Sequence, residues 1–600
     1  MLGDQKTKFN WALLILFWAI IACAVSLRTV FNADTIPLFS DTDDAMRLTV
    51  VRDLMAGQGW YDLIQHRLNA PFGASIHWSR LVDVPIATMI ALLHPFVGGK
   101  AVIVTAYLWP LVLLLILLAL TAKLSIKLVG PEAFLPGIVL PVLSVALLPE
   151  FMPGRVDHHN VQAILSVAIV LTTIIAWEKP RWSIGAGILA ATALAIGTES
   201  LPFVAGAILV FGLYWVLDPQ RATALRGFGL SFSAAALAHL AIALPPAQWL
   251  TPACDALSIV YGVAALGTGI VFALLPTLPL ATRPWSVRLI VGGISGAALL
   301  AVLLILFPQC LGGPYANLDP WLRENWVANI VEARPIWSSI VTLPAVTLAL
   351  AVPALVALVI VLWRITRDEN TNKIEWYVLG LFLSLAIIVM LLQVRGGRLA
   401  APLAVPAGAW LIGAVRQRYL SSKKLIDAGW LVGSWLLFAG VAIGFSADWV
   451  VNLGSKGPGV KTEVASDAEP LADKTACLLP AAFEKIAKLP AQPIMTPGDL
   501  GAHILLFTHH SVVGAPYHRN ANGMFDTLRF FNRPIVEARE ILRARGIETV
   551  VTCPAMPEVK GYPDAAPDSF VKLVARDELP NWLVDETPSG AVLKTYKVLD

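Results

Sequence analysis

The sequence predicts a polytopic α-helical membrane protein of about thirteen transmembrane helices, with a soluble α/β domain attached after the last of them. Three observations lead there. Hydrophobic residues make up 57% of the 600 residues and charged ones 14%, whereas a soluble chain carries roughly a quarter charged residues. Apolar runs of about 20 residues, the length that crosses a bilayer, recur from Trp11 to Phe445. From about Ser446 the composition turns. Charge, glycine and proline return, and short patterns such as "ETVVTC" and "AHILLFT" read as strands between helical stretches. The expected division is 1–445 for the membrane part and 446–600 for the soluble part.

The first run, "WALLILFWAIIACAVSLRTVF", is too long for a signal-peptide core and has no clear cleavage site behind it, so it reads as a retained helix. Lys and Arg then set the orientation, because basic residues concentrate in cytoplasmic loops. Lys6 and Lys8 precede the first run. Lys123 with Lys127, Lys179 with Arg181, Arg221 with Arg226 and Arg283 with Arg288 follow, then clusters at 364–373 and 416–424. With all of these cytoplasmic the spans pair off, and an odd count leaves the C-terminal domain outside, in the periplasm if the membrane is a bacterial inner membrane. The short piece "VPIATMIALLHPFV" is left out of this count as an interfacial helix closing a first external loop of about residues 32–98. Counting it as a span would invert most loops against the charge rule. A net charge of +3 over the whole chain does not suggest nucleic acid as a partner.

This topology gathers the polar clusters on the external side. Asp41, Asp43 and Asp44 stand before a helical pattern in "FSDTDDAMRLTVV". One aspartate suffices as a helix cap, and three within four residues repel unless a cation or a basic partner intervenes. "GRVDHHNVQ" opens the fourth helix with Arg155, Asp157, His158 and His159. Asp157 could cap that helix, but Asn160 stands where a capping box needs Glu or Gln. Adjacent histidines point about 100° apart on a helix, and zinc motifs space them at i and i+4. A hard divalent cation, Mg²⁺ or Mn²⁺, held by Asp157 with carboxylates from other loops fits better. Glu332 in "NIVEARPIW" closes a later external loop, where pairing with Arg334 is the alternative to a ligand role. Glu199 sits in a very short turn between two helices. Arg395 and Arg398 in "VRGGRLAAP" run against the positive-inside bias and suit a phosphate or pyrophosphate, with anionic lipid contact as the alternative. In the soluble part, Asp499, His509, His510, His518 and Arg519 are candidates for acceptor binding. Cys477 and Cys553 share that domain, where a disulfide can form.

Taken in order, these clusters resemble the integral-membrane glycosyltransferases of the C type (GT-C), above all the catalytic subunit of bacterial and archaeal oligosaccharyltransferases. "DTDDAMR" is similar to the family's acidic residue before a short helix in the first external loop. "VDHHN" resembles the Asp-His-His form of its second acidic motif, and "IVEARP" its later loop Glu before a Pro. Arg395 or Arg398 matches the arginine that contacts the lipid phosphate. "PGDLGAHI" keeps the Asp-x-Gly of the family's Trp-Trp-Asp pocket, with Pro497 and Gly498 in place of both tryptophans; that departs from the pocket that reads the Ser or Thr of an asparagine sequon. The stretch "VRDLMAGQGWYD" is also similar to GT-C enzymes that modify lipid A or proteins.

The resemblance implies transfer of a sugar or oligosaccharide from a polyprenyl-phosphate or polyprenyl-pyrophosphate donor to a glycan, lipid or protein acceptor at the external face, metal-assisted and with inversion. It implies Asp43, with Asp44 next, as the catalytic carboxylate, and Asp157, Glu332, His158 and Asp43 around the metal. Arg395, Arg398, Arg155 and His159 would meet the donor phosphate. The alternative is a transporter or flippase of a lipid-linked or anionic solute. Such proteins place ionisable residues near the bilayer midplane, whereas these charges collect at one face.

Overall fold

The structure, a computed structural model, describes residues 9–455, 469–560 and 565–599, except 314, 316–317 and 368–372. Lys6 and Lys8, the first of the basic markers, lie outside the described residues. Ten described helices are long and apolar enough to cross a membrane. Leu425–Phe438 and Gly440–Asn452, bent by 89° at Ala439, are a further apolar pair with the form of a broken span or a re-entrant loop. The expected number near thirteen is reached with the shorter apolar helices Pro131–Val142 and Trp182–Ile196. The last apolar helix runs on to Ser455, past the change of composition at Ser446.

The piece "VPIATMIALLHPFV" belongs to a helix, Arg80–Val97, that runs through the short turn Gly98–Lys100 into Ala101–Val129. Together they make one candidate run of 50 residues. At 1.5 Å per residue that is roughly 75 Å, against an apolar bilayer core of about 30 Å, so part of it must stand clear of the membrane. The Arg80 end is the charged one, and Arg80 and Asp83 are buried there, Arg80 donating to the Asp62 carbonyl of the preceding loop at 2.7 Å.

The C-terminal region is α/β. Its five strands run in the order Ser511–Val512, Pro493–Met495, Thr549–Thr552, Lys594–Val598, Leu583–Asp585. The first two pairings are parallel and the last two antiparallel. "ETVVTC" is the central strand, buried at all four of its positions. "AHILLFT" is not a strand: it lies in the helix Gly498–Phe507. An apolar run of this length gives no periodicity that separates a buried strand from a buried helix. Here every residue from Leu500 to Leu506 is buried, because the sheet side and the Thr42–Met55 helix enclose the run.

The loop of about residues 32–98, expected from sequence to be external, is stitched to this sheet. Its own hairpin pairs Ile64–Gln65 with Ala74–Ser75. Beyond it Leu68 bridges Val512 in parallel, and Ala70 N–H donates to the Val512 carbonyl at 3.0 Å. Arg67 donates to the carbonyls of Leu505, Thr508 and His510, which are the free acceptors at and beyond a helix C-terminus. Arg545 reaches back to the Ala70 carbonyl at 2.7 Å. Buried apolar residues of both parts accordingly form one continuous core.

Candidate active site

The Thr42–Met55 helix begins with Asp41 as its cap, whose carboxylate accepts the Asp43 N–H at 3.0 Å. That leaves Asp43 and Asp44 in the first turn, in surplus. Arg155 explains part of the surplus: one terminal nitrogen meets Asp41 at 2.7 Å and Asp44 at 2.8 Å, and the other meets Glu150 at 2.9 Å. Arg155 was expected at a donor phosphate; instead both terminal nitrogens are held by carboxylates. The other Asp44 oxygen accepts the N–H groups of Val156 at 2.8 Å and Asp157 at 3.0 Å. Asp44 therefore serves as the clasp between the two acidic motifs, a bond set that Asp43 does not share.

Asp157 does not cap a helix. The fourth-motif helix starts at His159, with His158 as its cap residue and no side-chain cap bond. Asp157 Oδ1 is fixed by His158 Nδ1 at 2.6 Å and by the fully buried Arg47 at 3.2 Å. Arg47 also pairs with Asp83 at 2.8 Å, and its guanidinium lies 4.2 Å from the centre of the Trp78 ring. Asp157 Oδ2 is buried without a hydrogen bond; its nearest described base is His159 Nε2 at 3.4 Å. The expectation that a helical step keeps neighbouring histidines from one ion alone is answered by their rings, which lean together although the His158 backbone is itself helical. The ring centres lie 4.5 Å apart in a tilted arrangement, and Asp157, His158 and His159 each offer a ligand atom within 4.8 Å of one another.

The electrostatics separate the two aspartates. Burial and then the carboxylates of Asp157 and Asp41 push Asp43 well above the ordinary carboxylate range. Burial acts the same way on Asp157, but His158, His159 and Arg47 outweigh it and hold that group well below the range. Two nearby carboxyls driven apart in this way divide the labour of proton acceptor and permanent anion.

A cavity of about 190 Å³ opens beside this cluster, lined by His159, Thr198, Glu199, Gln393, Arg395 and Arg398 among others. His159 Nδ1 meets Glu199 at 3.3 Å, and Arg395 meets the other Glu199 oxygen at 3.5 Å. Arg398 bridges Glu150 at 2.9 Å and Glu332 at 2.7 Å. Glu332 thus comes to the edge of the site as the partner of Arg398, on the turn Val331–Ala333, and not within the Asp157–histidine group.

The C-terminal candidates divide. His509 and His510 bond to the carbonyls of Leu489 and Ile486, both at under 3 Å, and brace their own domain. Asp499 pairs with Lys474 at 2.6 Å. His518 and Arg519 both bind Asp255, from the segment after the Ala222–Ala243 helix. The residues that do approach the acidic motifs are ones the sequence did not flag. Tyr517 donates its hydroxyl to the Thr42 carbonyl at 3.0 Å, and His503 bonds the Phe39 carbonyl at 2.8 Å. Glu150, Arg47, Asp83 and Asp255 were also missed. A lone charge in an apolar stretch, such as Glu150 in "LPEFMPGR", was the only available signal.

Cys477 and Cys553, whose pairing the sequence left open, are bridged, and so are Cys254 and Cys310, which had not been paired from sequence.

No family model and no curated protein matches the chain. Solved structures do. The apo oligosaccharyltransferase of Archaeoglobus fulgidus superposes with a TM-score of 0.65 at 12% identity, over 95% of this chain and 73% of that one. The same organism's AglB in complex with an inhibitory peptide and a dolichol-phosphate gives 0.62 at 14%, over 93% and 71%. The form tethered to an acceptor peptide containing the NVT sequon gives 0.64 at 13%, over 99% and 74%. At these identities the likeness concerns architecture: the chain has the fold of an archaeal oligosaccharyltransferase, a GT-C glycosyltransferase built as a polytopic helical membrane protein with a C-terminal α/β region.

Proposed function

We propose that the protein is a glycosyltransferase that moves a sugar or oligosaccharide from a polyprenyl-phosphate or polyprenyl-pyrophosphate carrier to an acceptor at the external face of the membrane. One observation carries the reading: Asp157 keeps a buried Oδ2 without a hydrogen bond, acts on the raised carboxyl of Asp43, and contacts His159, which lines the cavity that also holds Arg395 and Arg398. The oligosaccharyltransferase fold supports it, because neighbours of that fold bind dolichol-phosphate and an acceptor peptide.

In this reading the carrier tail lies among the helices, and Arg395 and Arg398 receive its phosphate, guanidinium forks being matched to phosphate oxygens. Arg398 then exchanges Glu332 and Glu150 for phosphate oxygens, which frees Glu332 to join the metal. Asp157 and the His158–His159 pair already offer ligand atoms together, and joined by Asp43 and the released Glu332 they would make a donor set rich in carboxylate oxygen that fits Mg²⁺ or Mn²⁺. Such an ion, when bound, supplies charge neutralisation at the leaving phosphate. Asp43 takes the proton of the acceptor group as that group bonds to the anomeric carbon. The bond from that carbon to the phosphate oxygen breaks, and its electron pair leaves with the phosphate. Attack from the face opposite the leaving group inverts the anomeric centre. Asp44 and Arg155 hold the two acidic motifs in register.

The C-terminal region covers the site, and Asp499 and Tyr517 are the side chains nearest to an acceptor role. A helix that starts at Gly498, after Pro497, presents no tryptophan pair, so a glycan or lipid acceptor is favoured over an asparagine sequon. The two disulfides support an oxidising, external location for the C-terminal region and for the segment carrying Asp255, with the N-terminus cytoplasmic in a bacterial inner membrane.

The test is transfer by detergent-purified protein from a polyprenyl-linked saccharide extract of the source membranes, read by mass spectrometry. Asp43→Asn and Asp157→Asn should abolish transfer, and EDTA should stop it until Mn²⁺ or Mg²⁺ is restored. Wild-type rates in both variants would remove the reading.

A further inference from the structure

A second constellation lies outside this machinery. His77 sits in the first external loop, Asp255 beside the bridged Cys254, and His518 at the start of the turn His518–Asn520 in the C-terminal region. These three segments are far apart in sequence, yet each residue offers a ligand atom within 4.8 Å of the others. His518 Nε2 is 2.6 Å from Asp255 Oδ2, and the His77 and His518 rings are 4.5 Å apart between centres.

An ion-pair latch accounts for only part of this. Arg519 grips Asp255 with Nε on Oδ2 at 2.7 Å and Nη2 on Oδ1 at 3.0 Å, and His518 adds to Oδ2. That latch gives His77 no task. Among the described residues no hydrogen bond to the His77 ring nitrogens is found, although the ring faces a second imidazole and lies half-buried.

We infer that His77, Asp255 and His518 form a binding site for a zinc-class transition-metal ion that clamps the first external loop, the Asp255 segment and the C-terminal region together. Two imidazoles and one carboxylate, with a fourth position left to water, are the donor set of an open tetrahedral zinc site. Imidazole selects this class over Mg²⁺ or Ca²⁺. The Arg519 Nη2 bond to Oδ1 orients the carboxylate from behind, as outer partners of metal ligands do, while Oδ2 exchanges its bonds to His518 and to Arg519 Nε for the ion. Arg519 is also a nearby cation, so the site binds more weakly than one whose carboxylate is free of it. The clamp fits the geometry around it: Arg519 Nη1 bonds Ser75 in the same loop at 3.3 Å, and Tyr315, on the segment bridged through Cys310, packs edge-on against His518. The site is independent of the proposed glycosyl transfer and stands or falls without it.

The probe is Co²⁺, titrated into full-length detergent-purified protein carrying Asp157→Asn so that the first cluster contributes little. The expected result is one equivalent of cobalt per chain with tetrahedral visible bands, and two imidazole ligands by X-ray absorption. Adding His77→Ala, which leaves the Asp255–His518–Arg519 pairs intact, should weaken binding by about tenfold or more. No bound cobalt in the Asp157→Asn protein, or cobalt without imidazole ligation, reduces the cluster to an ion-pair latch and overturns the inference. Unchanged affinity in the His77→Ala protein overturns it as well. Should the His77→Ala chain not fold, the ligand count in the Asp157→Asn protein decides alone.

Discussion

Asp44 Oδ1 accepts the backbone N–H of Asp157 at 3.0 Å, a bond between residues 113 positions apart that fixes one acidic motif against the other. The same oxygen holds the Val156 N–H, and the second oxygen holds Arg155. Asp44→Ala strands two buried N–H donors, for which about 2–6 kcal/mol of stability is the expected loss at ~1–3 kcal/mol each. The variant should melt earlier in detergent and lose transfer, whereas Asp44→Asn, which keeps an acceptor toward both N–H groups, should melt closer to wild type. Equal melting of Ala and wild type would show that the clasp is not needed.

Arg398 joins Glu150 and Glu332, and in the proposed reaction it trades them for phosphate. Arg398→Ala should raise the KM for the lipid donor by about 10- to 100-fold, the worth of a charge-assisted hydrogen bond of ~1.5–3 kcal/mol. The Glu332→Gln change should leave donor affinity nearly unaltered and lower kcat, because Glu332 is asked to reach the metal only after Arg398 releases it. Donor titrations with each variant separate the two effects.

Arg47 is fully buried between Asp83 and Asp157. Arg47→Met leaves both carboxylates without their guanidinium, and breaking a buried pair from one side costs about 3–5 kcal/mol. Thermal unfolding should show that loss. Adding Asp83→Asn to Arg47→Met should recover part of it, and no recovery would mean that packing against Trp78 accounts for the effect.

Glu558 gives a pH dependence away from the acidic cluster. Burial, followed by the Asp499 carboxylate, raises it from 4.5 to about 7. The folded chain therefore keeps a proton that the unfolded chain has already released. Stability is full below pH ~4.5, falls as pH rises through the folded value, and is lower by about 3 kcal/mol above it. Glu558→Gln can still accept the Gly498 N–H, which the carboxyl receives at 3.1 Å. The variant should melt higher than wild type at pH 8 and equally at pH 4.5; parallel melting curves across that range would refute the assignment.

The two disulfides close segments 56 and 76 residues long. Reduction should cost about 2–5 kcal/mol for each bridge. Paired Cys254→Ser and Cys310→Ser changes should speed proteolysis around Asp255, and mass mapping of the early cuts would show it.

The membrane class and the polar clusters at the ends of the apolar runs were legible because apolar run length and charge placement are written directly in the chain. Asp43, Asp157, Arg395 and Arg398 were singled out as charged residues at the ends of apolar runs, and the structure brings His159, next to Asp157, with Arg395 and Arg398 around one cavity. What failed was local. "AHILLFT" was taken for a strand, because a run buried on every side carries no period. The His158–His159 pair was judged by the helical step between the two residues, although their rings lean together to 4.5 Å between centres. His509 and His510 looked functional by density alone and prove to be braces for carbonyls.

By itself the sequence determined that the chain crosses a membrane many times, carries an α/β region at its end and collects its acids and arginines on one side, since these follow from hydrophobic length and from the cost of charge in lipid. Only the tertiary structure decided which of those charges satisfy one another. Asp44 is paired with Arg155, Arg47 is consumed by Asp83 and Asp157, and Asp157 keeps a buried oxygen without a hydrogen bond. Pairing energies depend on distances of a few ångströms between residues more than a hundred positions apart, and no local pattern encodes those distances.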